Sequence, residues 1–119
     1  MRDFHRLKVW TRAHCLALEV YRATRAFPKE ELYGLTSQMR RSASSICANI
    51  AEGCGRTRRP DFARFLDIAM GSASELEYHI LLSTDLELLP HPASCTLNAA
   101  VVEVKRMLAG LLRKLRADV

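Results

Sequence analysis

Several things are scarce in this chain. Nowhere does it hold the roughly 18 consecutive apolar residues that a membrane-spanning helix needs. The stretch Met1 to Lys8 is charged and lacks the apolar run of a secretory leader, so the chain reads as a bacterial-type cytoplasmic protein that makes no use of a membrane. The cysteines at 15, 47, 54 and 95 include no C-x-x-C pair, which argues against a zinc or dithiol redox site and for reduced, largely buried thiols. Aromatic residues make up 7% of the sequence and do not alternate with its basic clusters, so stacking of bases along a single strand is unsupported. No segment alternates with a strand-like period, and no repeat, low-complexity tract or linker interrupts residues 1–119, which read as one domain.

What is present is helical periodicity. Trp10, Ala13, Ala17, Val20, Thr24 and Phe27 step by three and four. So do Met39, Ala43, Ile46, Ile50 and Gly53. Phe62, Leu66, Ala69, Ala73, Leu76 and Ile80 form a third stripe, and Leu97, Val101, Val104, Leu108, Leu111 and Leu115 a fourth. Punctuation falls between them. Pro28 forces Phe27 out of the helical region, and Gly34 marks a second break, leaving 28–33 for a short helical turn. Gly53 and Gly55 loosen the end of the second segment, Pro60 suits a first helical turn, and Pro90 and Pro92 part the third and fourth. The pattern predicts helices over about 7–27, 35–55, 60–89 and 93–116. Short connections make neighbours antiparallel, so the fold class is all-α, an up-down-up-down four-helix bundle.

The net charge of +5 conceals a strong segregation. Residues 65–95 hold five acids and no Lys or Arg, whereas 1–29 hold seven basic and two acidic residues and 40–64 six basic and two acidic. In the bundle, one pole gathers Arg2, Arg6, Lys8, Arg12, Arg56, Arg58, Arg59, Arg64, Arg113, Lys114 and Arg116. The other gathers Glu30, Glu31, Asp85 and Glu87, opposed by Arg22, Arg25 and Lys29. The basic pole has two readings: a phosphate-binding surface for RNA or DNA, or a solvated surface whose arginines pair with acids of the same or a neighbouring chain. No helix-turn-helix, zinc finger or RNA-binding sheet motif accompanies it.

The second helix carries a second stripe, Ser42, Ser45, Asn49, Glu52 and Arg56, and the third carries a similar one of Ile68, Ser72, Glu75, His79, Leu82 and Leu86, so each helix can face a second partner. Small residues at Ser44, Ala48, Ala51, Gly71 and Ala73 permit close approach of another helix or subunit. Antiparallel register brings Arg40 or Arg41 toward Glu75 and gives Glu52 a partner in Arg56 or Arg64, because an unpaired half-buried carboxylate is costly. Arg40, Arg41, Asn49, Glu52, Ser72 and Glu75 are thus read as structural polar residues. Asn49, Glu52, Glu75 and His79 could also line an acid–base pocket. The chain lacks the paired Glu-x-x-His of a ferritin-like site, and neither a metal nor a catalytic set nor a cofactor is expected.

The combination of Trp10 and Tyr21, then Phe27, Pro28, Glu31, Tyr33, Gly34 and Leu35, then Gln38, Arg40, Arg41, Ser45, Ile46, Asn49, Ile50, Ala51, Glu52 and Gly53 resembles the 23S rRNA intervening-sequence protein family. Phe62, Phe65, Leu66, Ala69, Gly71, Ser72, Glu75, Leu76 and Glu77 extend the match to about residues 4–90. The resemblance implies a cytoplasmic four-helix bundle without enzymatic activity that assembles into a homo-oligomeric ring, of five subunits in relatives. It also implies kinship with the accessory variability protein of diversity-generating retroelements, a basic pentameric barrel that binds nucleic acid and a reverse transcriptase. Many relatives carry proline where this chain has Cys47, so a straighter second helix is expected here. The expected function is a non-enzymatic oligomer binding nucleic acid, structured RNA foremost, through its basic surface. The alternative is a scaffold or adaptor whose charges serve ring assembly and protein contacts.

Overall fold

A computed structural model describes residues 2–117; the two ends of the predicted 1–119 span lie outside it. The chain is an antiparallel bundle of four helices, α1 (Lys8–Thr24), α2 (Leu35–Cys54), α3 (Arg59–Asp85) and α4 (His91–Ala117), with 3-10 turns at Phe4–Arg6 and Lys29–Glu31. It is a rod of 46 × 22 × 20 Å. The helices occupy the corners of a square. α1 packs on α2 and α4, α3 packs on α2 and α4, and the diagonal pairs do not meet.

The apolar stripes explain this arrangement. Ala13, Val20, Met39, Ala43, Ile46, Ile50, Leu66, Ala69, Ala73, Leu76, Val101, Val104 and Leu108 are wholly buried in one continuous core. Trp10 and Leu111 are only half-buried, and Leu112 takes an inward place on α4 that the periodicity had not assigned.

Local contacts set the helix ends, some at and some away from their expected positions. α1 stops at Thr24, whose hydroxyl donates back to the Val20 carbonyl at 2.8 Å while the Phe27 N–H closes onto the Thr24 carbonyl. α2 begins at Leu35, whose N–H is accepted by the Glu31 carboxylate at 3.2 Å. It runs unbroken through Cys47 to Cys54, as expected of a residue that retains its backbone donor.

α3 ends four residues before its predicted limit. Glu87 adopts a left-handed conformation (φ 61°), and the Leu88 N–H reaches the Ser83 carbonyl at 2.9 Å while Glu87 N–H reaches Thr84 at 3.0 Å. This pair of bonds is a Schellman closure, a motif that usually places glycine where Glu87 stands. No helix among the described residues is long and apolar enough to cross a membrane.

Candidate nucleic-acid interface

The α2–α3 corner is built around Gly53. A side chain there would stand 3.0 Å from both Phe62 Cδ1 and Phe65 Cβ, so glycine lets α3 approach α2 closely. The two phenylalanine rings seat three of the predicted basic residues. The Arg2 guanidinium lies 4.2 Å from the Phe62 ring centre, and those of Arg56 and Arg64 lie 4.8 and 5.0 Å from that of Phe65. Arg2 is further tied down by its backbone N–H, which donates to the Cys54 carbonyl at 2.7 Å. Cation–π seating fixes the arginine planes while leaving their N–H edges exposed.

Three members of the predicted cluster are already neutralised. Arg56 pairs with Glu52 at 3.1 Å, Arg12 with Glu103 at 3.1 Å, and Arg116 with Asp67. Arg59 also has an interaction partner. Arg2, Arg6, Lys8, Arg58, Arg64, Arg113 and Lys114 are exposed and, among the described residues, have no carboxylate within ion-pair distance. Arg6 and Lys8 flank an open groove of about 350 Å³ with Thr11, Arg12, Glu103 and Met107. Arg113 and Arg116 line another beside Asp67 and Met70.

The polar stripe is a short relay between helices. Asn49 Nδ2 donates to the Ser45 carbonyl at 2.8 Å and to Ser45 Oγ at 3.0 Å, and Ser45 Oγ meets Ser72 Oγ of α3 at 2.9 Å. Asn49, Ser45 and Ser72 thus fix the register of α2 on α3. Glu52 finds Arg56, but as an exposed one-turn pair and not a half-buried one.

The expected pairing of Arg40 or Arg41 with Glu75 does not occur. Arg40 lies on the α1 side of α2, where its Nε donates to Thr24 Oγ1 at 2.8 Å, its Nη2 donates to the Tyr21 carbonyl at 3.3 Å, and its plane covers the Tyr21 ring at 4.8 Å. Position 40 shares its side of α2 with 43 and 47, so α1 and not α3 is within its reach. Arg41 and Glu75 are exposed and make no ion pair among the described residues. Glu75 faces solvent while His79 is buried, so the two do not share the acid–base pocket considered above. The acids of α3 are also less available to a neighbouring subunit than their charge suggests. Besides Asp67, Glu77 is taken up within the chain, by Lys105 at 2.8 Å.

The thiols depart from the expectation that they are largely buried. Cys15 and Cys95 are exposed, Cys47 is half-buried and Cys54 is buried. Burial pushes the Cys47 thiol up to about 11 and raises that of Cys54. At the N-terminal turn, hydrogen bonds from the His5 side chain and backbone hold the Asp3 carboxyl below its usual range. No group of three or more His, Cys, Asp and Glu residues suited to a metal is found among the described residues.

A feature that the linear reading missed is a cleft between the end of α1 and the start of α2. Two adjoining cavities of about 440 and 280 Å³ share Leu32, Thr36 and Arg40. The signal lay in Tyr21, Tyr33, Arg40 and Arg41, which are dispersed in sequence and meet only when the connection folds back.

The model of the family described as "23S rRNA-intervening sequence protein" matches residues 5–110. No curated protein matches the chain. Among solved structures it is similar to a protein of unknown function from the S23 ribosomal protein family of Bacteroides thetaiotaomicron. That protein is 25% identical, with a TM-score of 0.82 and coverage of 88% of this chain and 95% of the other.

Proposed function

We propose that this chain, which belongs to the 23S rRNA-intervening sequence protein family, is a non-enzymatic, cytoplasmic, ring-forming bundle that binds structured RNA through the basic pole. The observation that carries the reading is the set of seven exposed cations there without carboxylate partners, three more being neutralised internally. Unneutralised Lys and Arg displace counterions from a phosphate backbone, and Arg2 and Arg64, seated on Phe62 and Phe65, lose little freedom in doing so. The ring, of five subunits by analogy with relatives, would multiply such poles around one axis and raise avidity without new contacts. A scaffold reading finds support in the outward faces of α2 and α3, where Ser44, Ala48 and Gly71 leave room for another helix beside exposed Ile68 and Tyr78.

The two readings separate in one titration. Seven phosphate contacts lower affinity on the order of a thousandfold between about 50 and 200 mM salt. Arg58→Ala/Arg64→Ala/Arg113→Ala leaves the three ion pairs intact and reduces the salt slope by about three. A correctly assembled protein whose RNA affinity ignores both salt and these substitutions would be a scaffold.

A further inference from the structure

The cleft between α1 and α2 carries a chemistry that the basic pole lacks. Arg25, Lys29, Arg40 and Arg41 line its two cavities, and no Asp or Glu does. None of these four makes an ion pair among the described residues. Beside them stand aromatic and aliphatic surfaces that solvent reaches. Tyr33 is 93% exposed, Leu32 47% and Tyr21 42%, although burial of such side chains is ordinarily favourable. Nothing among the described residues covers Tyr33. Arg40 is immobilised by Thr24, the Tyr21 carbonyl and the Tyr21 ring, so the cleft has a rigid cationic floor and an aromatic rim.

We infer that this cleft binds a single-stranded segment of nucleic acid, with a base stacked on Tyr33 and the adjoining phosphates held by Arg40 and Arg41. Four cations that make no ion pair outnumber Glu30 and Glu31 on the adjoining turn and favour a polyanion, and the free ring face calls for a flat, sequence-tolerant partner. Unpaired nucleotides supply both, whereas a duplex keeps its base faces inside the stack. The size of the cavities suits a few groups of one strand and not the width of a helix. This site is separate from the basic pole, which lies at the opposite end of the rod. Together they would let the bundle hold a paired region at one end and an unpaired one at the other.

The test uses the intact protein with a labelled oligouridylate of about ten nucleotides, read by anisotropy at about 50 mM salt, with the structured RNA titrated in parallel. Tyr33→Ala is expected to weaken oligouridylate binding by about fivefold to a hundredfold, the loss of one stacked base, while Tyr33→Phe keeps the ring and binds like wild type. Arg41→Ala is expected to weaken it and flatten its salt dependence. The pole variant Arg58→Ala/Arg64→Ala/Arg113→Ala is expected to spare oligouridylate and lose structured RNA, so failure at one end leaves the other reading intact. Because Tyr33 is almost wholly exposed, its replacement does not threaten the fold. The proposal is overturned if wild type ignores oligouridylate, if Tyr33→Ala binds it unchanged, or if an oligoglutamate peptide competes equally well. It is also overturned if Tyr33→Ala alters the sedimentation of the assembly, which would assign the cleft to a second copy of the chain.

Discussion

Replacing Gly53 by alanine sets two opposing effects against each other, and the geometry decides between them. Alanine is favoured over glycine inside a helix by about 1 kcal/mol. At position 53 the new methyl group would lie 3.0 Å from Phe62 Cδ1, 3.0 Å from Phe65 Cβ and 3.4 Å from the Phe62 carbonyl oxygen. The Phe62 ring is wholly buried, and Phe65 Cβ moves only with the α3 backbone, so neither can swing aside. Relief requires α3 to shift away from α2, and overpacking of this kind costs about 1–3 kcal/mol. The net expectation is a loss of about 1 kcal/mol, or roughly 4 °C in Tm.

Gly71 is the control. It is exposed in the middle of α3, and an added methyl group there meets nothing within 4 Å. Gly71→Ala is expected to gain about 1 kcal/mol. Urea denaturation followed by circular dichroism measures both, at one protein concentration so that assembly does not confound the comparison. A Gly53→Ala protein as stable as wild type would refute the claim that glycine sets the α2–α3 distance.

Three further predictions rest on local geometry and burial. Glu87→Gly relieves a left-handed residue at the Schellman closure and is expected to stabilise by about 0.5–1 kcal/mol in the same denaturation assay. Cys47 titrates at about 11 in the fold, above the roughly 8.5 of a free thiol, so the unfolded chain releases its proton first and stability falls as pH rises through that window. Urea midpoints between pH values of about 8 and 11 should show the decline, which Cys47→Ala reduces by about 1–2 kcal/mol at the alkaline end. At about pH 8 a thiol reagent should modify the exposed Cys15 and Cys95 readily in the native protein, the half-buried Cys47 more slowly, and the buried Cys54 only after unfolding.

The helices were legible because their inward residues repeat with the helical period, and short connections leave an up-down bundle few alternatives. Ala43, Ile46, Ile50, Leu66, Ala69, Ala73 and Leu76 all lie where the stripes put them. Side-chain partners were less legible. Arg40 or Arg41 is expected to reach Glu75 on α3, but a long flexible side chain can serve either neighbouring helix, and the Tyr21 face offers Arg40 two acceptors and a ring. The α3 end was overrun because Glu87 carries no glycine signal, although its backbone does what glycine would do. The cleft was invisible for a topological reason: its rim and floor come from three segments that only the turn at Lys29–Glu31 brings together.

The square arrangement of helices also orders the folding of the chain in time. Three of the four interfaces join elements adjacent in sequence, and each can form as soon as a short loop closes. The interface of α2 with α3 is the most extensive, and that of α1 with α4 the least. Only the latter joins remote segments, so it closes last and opens first. Amide hydrogens along the edge marked by Arg12 and Glu103 should therefore exchange through partial opening, while those of Ile46, Ile50, Leu66 and Ala69 wait for the whole molecule to unfold.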